Sequence, residues 1–294
     1  MLGSHRLTKW VALAALVLAP AWGSAALLTI GPDSSFVPRV LTQLPTSAPV
    51  AGTALATLGD GSVGFNGGLA HDGSGLFAIG NDSSGASTLY SMTTAGGSLT
   101  AVGSPGLLGS GFYGGLAYRS GGGLYAIASD SSGKSTLYDV TGGSATAVGL
   151  GLGDGFYGGL TWNADKGQLY AIAGDSLGVP WSLVAIDADT GAATPLFALG
   201  DGSIGFNGGL AYDAAADRFF VIGSDSLANS SLYSFTLAGL VSVTQIGSSF
   251  GQGFLNASLV LLPDGDQPVP EPPTLWLLSS LLFVRLVSRR SRRR

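Results

Sequence analysis

Short apolar runs recur along the chain between Leu27 and Leu262, and each is bounded by Gly, Asp or Ser. Runs this short, with turn-forming residues on both sides, are typical of β-strands. Four kinds of run follow one another in a fixed order, and one unit shows them at residues 114–118, 124–127, 136–140 and 145–149. The pattern therefore predicts an all-β chain built from four-strand units.

A Gly-Phe pair marks the start of each unit. The five phenylalanines of these pairs are Phe65, Phe112, Phe156, Phe206 and Phe254, at intervals of 44 to 50 residues. Periods of this length indicate a repeat architecture, and four antiparallel strands per period match one blade of a β-propeller. We therefore predict a propeller body in which these phenylalanines pack between blades.

The units at the two ends of the repeat region are incomplete. Residues 27–30, 39–44 and 54–58 supply a second, third and fourth strand, whereas residues 254–262 supply only a first strand. Together they make one blade, so the last strand closes the ring and removes the open sheet edges. The prediction is a five-bladed β-propeller with four complete blades and one composite closing blade. An open β-solenoid is the alternative, although a solenoid needs polar caps and has no reason to split one unit.

Charge and composition exclude several classes of function. Between Leu27 and Val269 the chain has 17 aspartates, no glutamate and five basic residues. Aspartate favours turns whereas glutamate favours helices, so this bias agrees with many short strands. The negative excess excludes a nucleic-acid partner, which would need clustered Lys and Arg. Because the chain has no cysteine, a thiol nucleophile and a thiolate metal site are excluded as well.

An Asp-Ser pair follows each predicted second strand. The aspartates of these pairs are Asp33, Asp82, Asp130, Asp175 and Asp225. The loops that precede first strands lie on the same face of a propeller and add Asp60, Asp154 and Asp201. The sequence thus predicts one acidic face, where the aspartates either cap their own turns or bind a cation or a glycan. Calcium needs about six to eight oxygen ligands at one point. We therefore predict no cofactor and no metal, with calcium left as the one cation alternative.

A second candidate set directly follows the Gly-Phe pairs, at the predicted mouth of the central channel. Its members are Asn66, Tyr113, Tyr157 and Asn207. Amide and phenol side chains can hold a sugar by hydrogen bonding and stacking, so this set is the candidate ligand site. Packing of the loops is the alternative.

The repeats contain little evidence for catalytic residues. His71 is the one histidine of the body, and it occupies a position held by Tyr118, Trp162 and Tyr212 in sister units. A packed or surface ring explains it better than a general base. The chain has no Gly-x-Ser-x-Gly elbow on a strand-to-helix turn, where a nucleophilic serine would lie. A glycosidase needs two carboxylates in unlike environments, but the repeated aspartates sit in like ones. We therefore predict a protein that is not an enzyme.

The first residues predict export. His5, Arg6 and Lys9 precede an apolar stretch at residues 10–21, and small residues follow at 23–26. This is the order of a secretory signal peptide, with cleavage after Ala25 or Ala26. We assign residues 1–26 to the signal peptide and residues 27–263 to the propeller.

The last residues contain a second pattern that predicts targeting. Pro270, Glu271 and Pro272 precede an apolar run at residues 274–284, and six arginines follow within residues 285–294. The run is shorter than the roughly 20 residues of a comfortable membrane span. This order resembles the PEP-CTERM sorting signal of Gram-negative bacteria that secrete exopolysaccharide. The resemblance implies transient retention in the inner membrane and processing at the Pro-Glu-Pro motif by an exosortase. An anchor that is never cleaved is the alternative.

Residues 264–273 are accordingly predicted to form a linker, and residues 274–294 a short hydrophobic membrane helix with an arginine tail. The predicted function is that of an exported, exosortase-sorted protein of the cell surface or of the exopolysaccharide matrix. It is expected to bind glycan or another protein through one acidic face. The alternatives are a purely structural matrix protein and an extracellular enzyme acting on polysaccharide.

Overall fold

The computed structural model describes residues 25–47, 52–174, 180–238, 242–254 and 258–263. All of the regular structure in these residues is β, and it forms five sheets. Among them, no helix has the length and apolar character that a membrane span requires. The predicted signal peptide up to Ser24 and the linker and membrane helix from Asp264 onward lie outside the described residues.

The closing blade joins the two ends of the repeat region. Its strands are β1 (Ala26–Pro32), β2 (Pro38–Leu44), β3 (Thr53–Thr57) and β22 (Leu259–Leu262), in the sheet order β22-β1-β2-β3. Strand β22 runs antiparallel to β1, with Ala26 opposite Leu262 and Thr29 opposite Leu259. The predicted composite blade is confirmed.

The first and second blades follow along the chain. The first blade contains β4 (Val63–Gly64), β5 (Leu69–His71), β6 (Leu76–Asp82), β7 (Ala86–Met92), β8 (Thr100–Val102) and β9 (Gly109–Ser110). The second blade contains β10 (Leu116–Arg119), β11 (Gly123–Ser129), β12 (Lys134–Asp139) and β13 (Thr146–Asp154).

The third and fourth blades complete the ring. The third contains β14 (Leu160–Asn163), β15 (Gln168–Gly174), β16 (Pro180–Ile186) and β17 (Ala193–Ala198). The fourth contains β18 (Leu210–Asp213), β19 (Arg218–Ser224), β20 (Asn229–Phe235) and β21 (Thr244–Gln252). The innermost strands β5, β10, β14, β18 and β22 contact one another in sequence, and β22 contacts β5. The five-bladed propeller is confirmed, and its ring is closed.

The strand bounds differ from the prediction at the outer strands. The fourth strands β13 and β21 continue beyond the predicted residues 145–149 and 243–247, because the chain stays paired to the third strand after a register shift. In the first blade the fourth strand is interrupted and forms two short strands, β8 and β9, which both pair with β7. The two-residue strand β4 pairs with β6. The closing first strand is shorter than residues 254–262, since its described part begins at Leu259.

Apolar side chains fill the space between neighbouring blades. Five buried clusters are present among the described residues, and each joins two adjacent blades. Successive residues of a strand point to opposite faces, so Ala126 packs toward the first blade and Ile127 toward the third. Both faces of every blade are therefore covered, which explains why the second strands are apolar at consecutive positions.

Four of the Gly-Phe phenylalanines lie in this inter-blade core, as predicted. The side chains of Phe65, Phe112, Phe156 and Phe206 are all buried. Three of them contact a tyrosine edge-on or at a tilt, for example Phe112 and Tyr138 with ring centroids 5.3 Å apart. Phe254 is only partly buried and packs edge-on against Phe250 at 4.8 Å.

Candidate functional site

The ring has two faces that the strand directions define. The Asp-Ser face is where first strands begin and where the loops between second and third strands lie. The terminal face is the opposite one, where first strands end, and it includes Ala26 and Leu262. The chain therefore enters and leaves the described propeller on the terminal face.

The repeated aspartates of the Asp-Ser face hold their own loops. One carboxylate oxygen of Asp130 accepts hydrogen bonds from the backbone N–H groups of Ser132 and Lys134, at 2.8 and 3.0 Å, and from the Ser132 hydroxyl. Asp82 and Asp225 accept the corresponding backbone bonds in their loops. Asp33 does so too and also pairs with Arg39. Asp175 lies outside the described residues.

The aspartates before the first strands behave in a similar way. Asp60 accepts from the backbone N–H and the hydroxyl of Ser62, and Asp201 from the backbone N–H of Ser203. The Asp154 carboxylate pairs instead with the ammonium of Lys134 at 2.7 Å, and both side chains are exposed. In the described part of the chain, no three His, Cys, Asp or Glu side chains cluster as metal ligands. The geometry thus favours turn capping over a cation site.

These hydrogen bonds lower the pKa values of the carboxyl groups. The Ser132 hydroxyl and the Lys134 and Ser132 backbone N–H groups favour the charged form of Asp130 and lower its pKa below 3.8. The hydroxyl of Ser84 does the same for Asp82, and the side chain of Asn229 for Asp225. For Asp33 the largest cause of the lowered pKa is the hydrogen bond from Arg39.

Replacing Asp130 by asparagine should therefore reduce stability at neutral pH more than in acid. Because the pKa of Asp130 is lower in the folded protein, its stabilising effect is present above pH 3.8 and is lost as the pH falls through the folded value. Urea unfolding at pH 7 and pH 3 measures this difference. Acid also relieves repulsion among the aspartates, so the gap between variant and wild type is the quantity to compare. A gap that does not narrow in acid would contradict the capping role.

The channel mouth on the Asp-Ser face is nearly closed. Asn66, Tyr113 and Tyr157 converge there with the glycines that precede the first strands and with Ser258, around a cavity of about 10 Å³. A volume of this size holds roughly one water molecule. Asn66 accepts a hydrogen bond from the Nδ2 group of Asn81 at 2.5 Å. The fourth predicted member, Asn207, is not part of this lining, and its buried Oδ1 atom has no hydrogen-bond partner among the described residues.

A ring of leucines blocks the channel below this mouth. The first strands contribute one leucine each, and the set is Leu69, Leu116, Leu160, Leu210 and Leu259. Each is at most 3% exposed. Four of the five line both the small cavity on the Asp-Ser face and a larger one on the terminal face. The two ends of the channel are therefore separate sites.

The larger cavity, which we call the terminal pocket, opens beyond the leucine ring and has a volume of about 120 Å³. Its wall includes four ring side chains that occupy equivalent positions at the ends of first strands. We call this set the aromatic collar, and it consists of His71, Tyr118, Trp162 and Tyr212. Leu261 takes the fifth position in β22.

Contacts outside the pocket hold two of the collar rings. The indole N–H of Trp162 donates to the hydroxyl of Ser120 at 3.1 Å, and the guanidinium of Arg119 lies 5.4 Å from the centre of the Trp162 ring. Arg119 also pairs with Asp189 at 2.5 Å, which raises its pKa. These contacts connect the second and third blades on the terminal face.

Tyr212 is held in a similar way by its own blade. Its hydroxyl donates to the Asp217 carboxylate at 2.8 Å, and its ring packs at a tilt on Phe219, with centroids 4.8 Å apart. Burial, and then the Asp217 hydrogen bond, raise the pKa of Tyr212 to about 12. The phenol is therefore neutral at physiological pH, and both Trp162 and Tyr212, which border the pocket, are held in fixed orientations.

The candidate ligand residues and the larger cavity lie at opposite ends of the channel. The residues after the Gly-Phe pairs lie at the nearly closed mouth. The collar positions align in sister repeats, and only His71 among them is weighed from the sequence, as a catalytic candidate. The signal that would have found the collar is the presence of a ring side chain at the end of four first strands.

No family model and no curated protein matches the chain. Among solved structures, TolB from Acinetobacter baumannii is similar at 13% identity with a TM-score of 0.49, over 76% of this chain and 53% of that one. An exo-β-1,3-galactanase from Phanerochaete chrysosporium has 13% identity and a TM-score of 0.47, over 74% and 54%. A putative TolB from Agrobacterium tumefaciens has 13% identity and a TM-score of 0.47, over 82% and 100%. The chain thus spans about half the length of the first two, and the likeness assigns neither family nor activity.

Proposed function

We propose that this protein is an exported component of the cell surface or exopolysaccharide matrix, and that its propeller binds polysaccharide without cleaving it. The observation that carries the proposal is the terminal pocket with its collar of four ring side chains. Concave sites lined by aromatic rings and a few oriented polar groups are typical of small-ligand binding. The acidic Asp-Ser face contributes negative charge to the protein, but its described carboxylates hold their own loops.

The non-enzymatic part of the proposal rests on two carboxylates of the terminal face. Asp72 accepts bonds from the backbone N–H groups of Ser74 and Gly75, and Asp217 accepts from the Tyr212 hydroxyl. Glycoside hydrolysis needs one carboxyl group as a proton donor and another as base or nucleophile, facing the same bond. Carboxylates already engaged in such hydrogen bonds are poor candidates for either role.

The route to the cell surface is proposed from the sequence. The signal-peptide pattern supports export, and the Pro270-Glu271-Pro272 motif with its apolar run and arginines supports sorting by an exosortase. The inner membrane would then be a transient partner. A structural matrix protein without a specific ligand, and an extracellular enzyme, are the competing functions.

Sedimentation with exopolysaccharide tests the proposed function. The full chain, purified in detergent, is mixed with the producing bacterium's own exopolysaccharide, and protein in the pellet is quantified while the supernatant is assayed for released reducing sugar. We expect saturable retention, no released sugar and no effect of a chelator. Retention that disappears on chelation would restore a cation role for the aspartates. Released sugar would establish an enzyme, and absence of retention would favour the structural alternative.

A further inference from the structure

The terminal pocket is large enough for a small polar ligand. Its volume of about 120 Å³ is well above the roughly 10–15 Å³ that a cavity needs to hold one water molecule. The leucine ring forms the floor, so a ligand enters from the terminal face and stops there.

The collar side chains are less buried than the phenylalanines of the inter-blade core. Phe65, Phe112, Phe156 and Phe206 are at most 3% exposed, whereas all four collar residues are only half-buried. Tyr118, Trp162 and Tyr212 pack against the inter-blade clusters, and they border the terminal pocket as well.

The charges around the pocket disfavour an anionic ligand. On the terminal face, the described loops and strand ends contain seven aspartates, namely Asp72, Asp139, Asp165, Asp187, Asp189, Asp213 and Asp217. The same regions contain three basic residues, Arg119, Lys166 and Arg218. Two of these, Arg119 and Arg218, are paired with aspartates. An incoming carboxylate or sulfate would meet net negative charge, so a uronic acid is a poor fit.

The contact between Arg119 and Trp162 disfavours a quaternary ammonium ligand. Aromatic rings attract such cations, and tryptophan does so most strongly. Here the Trp162 ring already has a guanidinium 5.4 Å from its centre. Because Arg119 already occupies one face of the Trp162 ring, a second cation would gain less from this ring than from a free indole, and we take a neutral ligand as the best match.

A neutral sugar fits the remaining requirements, which are an uncharged ligand and a surface that can lie against an aromatic ring. One side of a pyranose is largely C–H and can lie on an aromatic ring, while its hydroxyls hydrogen-bond to polar groups at the rim. The fixed orientations of Trp162 and Tyr212 reduce the conformational entropy that binding would cost. We infer that the terminal pocket is a saccharide site that takes one neutral pyranose ring of a polysaccharide, with Trp162 as its main stacking surface. This inference specifies the site of the proposed function and rests on it.

Ligand-observed NMR on the full chain in detergent tests the inference. The probes are D-glucose, D-galactose and D-mannose, with sodium glucuronate and choline as the anionic and cationic comparisons. We expect at least one neutral sugar to bind saturably and to bind at least tenfold more tightly than glucuronate or choline. Tighter binding of either charged probe, or no binding of any neutral sugar, would overturn the inference.

Two aromatic substitutions at opposite ends of the channel locate the site. Trp162→Ala should weaken sugar binding at least tenfold, Trp162→Phe should weaken it less, and Tyr113→Ala should leave it unchanged. The phenylalanine variant retains a ring, so it separates loss of stacking from loss of folding. Loss of binding in Tyr113→Ala alone would move the site to the Asp-Ser face.

The same variants separate this inference from the proposed function. If Trp162→Ala still sediments with exopolysaccharide as the wild type does, the polysaccharide-binding function survives and the terminal pocket is not its site. If the wild type is not retained at all, the proposed function itself fails. Exclusive retention by a protein component of the matrix would assign the pocket to a protein partner and overturn the saccharide inference.

Discussion

Replacing Gly115 by alanine is expected to destabilise the propeller by about 3 kcal/mol or more, which is among the larger effects of single substitutions. Gly115 lies just before β10, where the second blade closely approaches the third. A Cβ atom there would lie 2.3 Å from the backbone nitrogen of Leu160 and 2.7 Å from the Cα of Gly159. Because these neighbours are backbone atoms of the next blade, they can yield only if the blades separate.

Gly122→Ala is the matched control. Gly122 has φ +115° and Gly115 has φ +108°, so the backbone strain of an alanine is similar at the two positions. A Cβ atom at Gly122 would meet no atom within 4 Å. We expect this variant to lose only the roughly 1–2 kcal/mol of left-handed strain. Urea unfolding of both variants measures the difference, and equal losses would show that close blade contact does not limit the ring.

The same close approach recurs around the channel. A Cβ atom at Gly68 would lie 2.2 Å from the nitrogen of Leu116, and one at Gly159 would lie 2.5 Å from the nitrogen of Leu210. The Gly-Gly pairs therefore set the radius of the ring. They also explain why the cavity at the channel mouth is only about 10 Å³.

Removing β22 is expected to open the ring. A chain ended after residue 257 lacks the strand that pairs with β1 and exposes β1 as a free edge. It also loses Leu259 and Leu262, both at most 3% exposed, at about 1.5–3 kcal/mol for each buried side chain. Together with the lost strand pairing, this is comparable with the whole stability of many domains. We expect aggregation or loss of cooperative unfolding.

A chain ended after Pro263 is the control, because it lacks the same C-terminal apolar run but retains β22. Size-exclusion chromatography and urea unfolding compare the two. The longer chain should be monomeric and unfold cooperatively. A stable, cooperatively folding chain without β22 would contradict the closing role of this strand.

The fold could be predicted from the sequence because the repeats report strand order directly. The split unit at residues 27–58 and 254–262 was enough to predict which strand closes the ring, and the pairing of Ala26 with Leu262 agrees. The lengths of the outer strands could not be predicted as well. The Gly-rich stretch after Val148 gives no strand signal, yet pairing with the third strand resumes after a register shift at Gly153 and Asp154.

The candidate site could be predicted less well, for a physical reason. Repetition marks residues such as Asp82 and Asp130, but each of these repeated aspartates serves its own hairpin. The channel, by contrast, is built by one position from every blade, and its shape depends on how closely the blades approach. Nothing in the pattern of Tyr118 or Trp162 alone shows whether leucines close the channel above them.

The position of the chain ends bears on when the terminal pocket becomes accessible to a ligand. Residues 264–273, the proposed linker to the apolar run, can reach at most about 35 Å when fully extended. They continue from Leu262, beside the terminal pocket. If the apolar run is held in a bilayer, this linker keeps the terminal face within about 35 Å of that bilayer, which would restrict the access of a long polymer to the pocket. Release from the membrane would then make the pocket accessible to the polymer. Cleavage of the chain would therefore precede ligand binding.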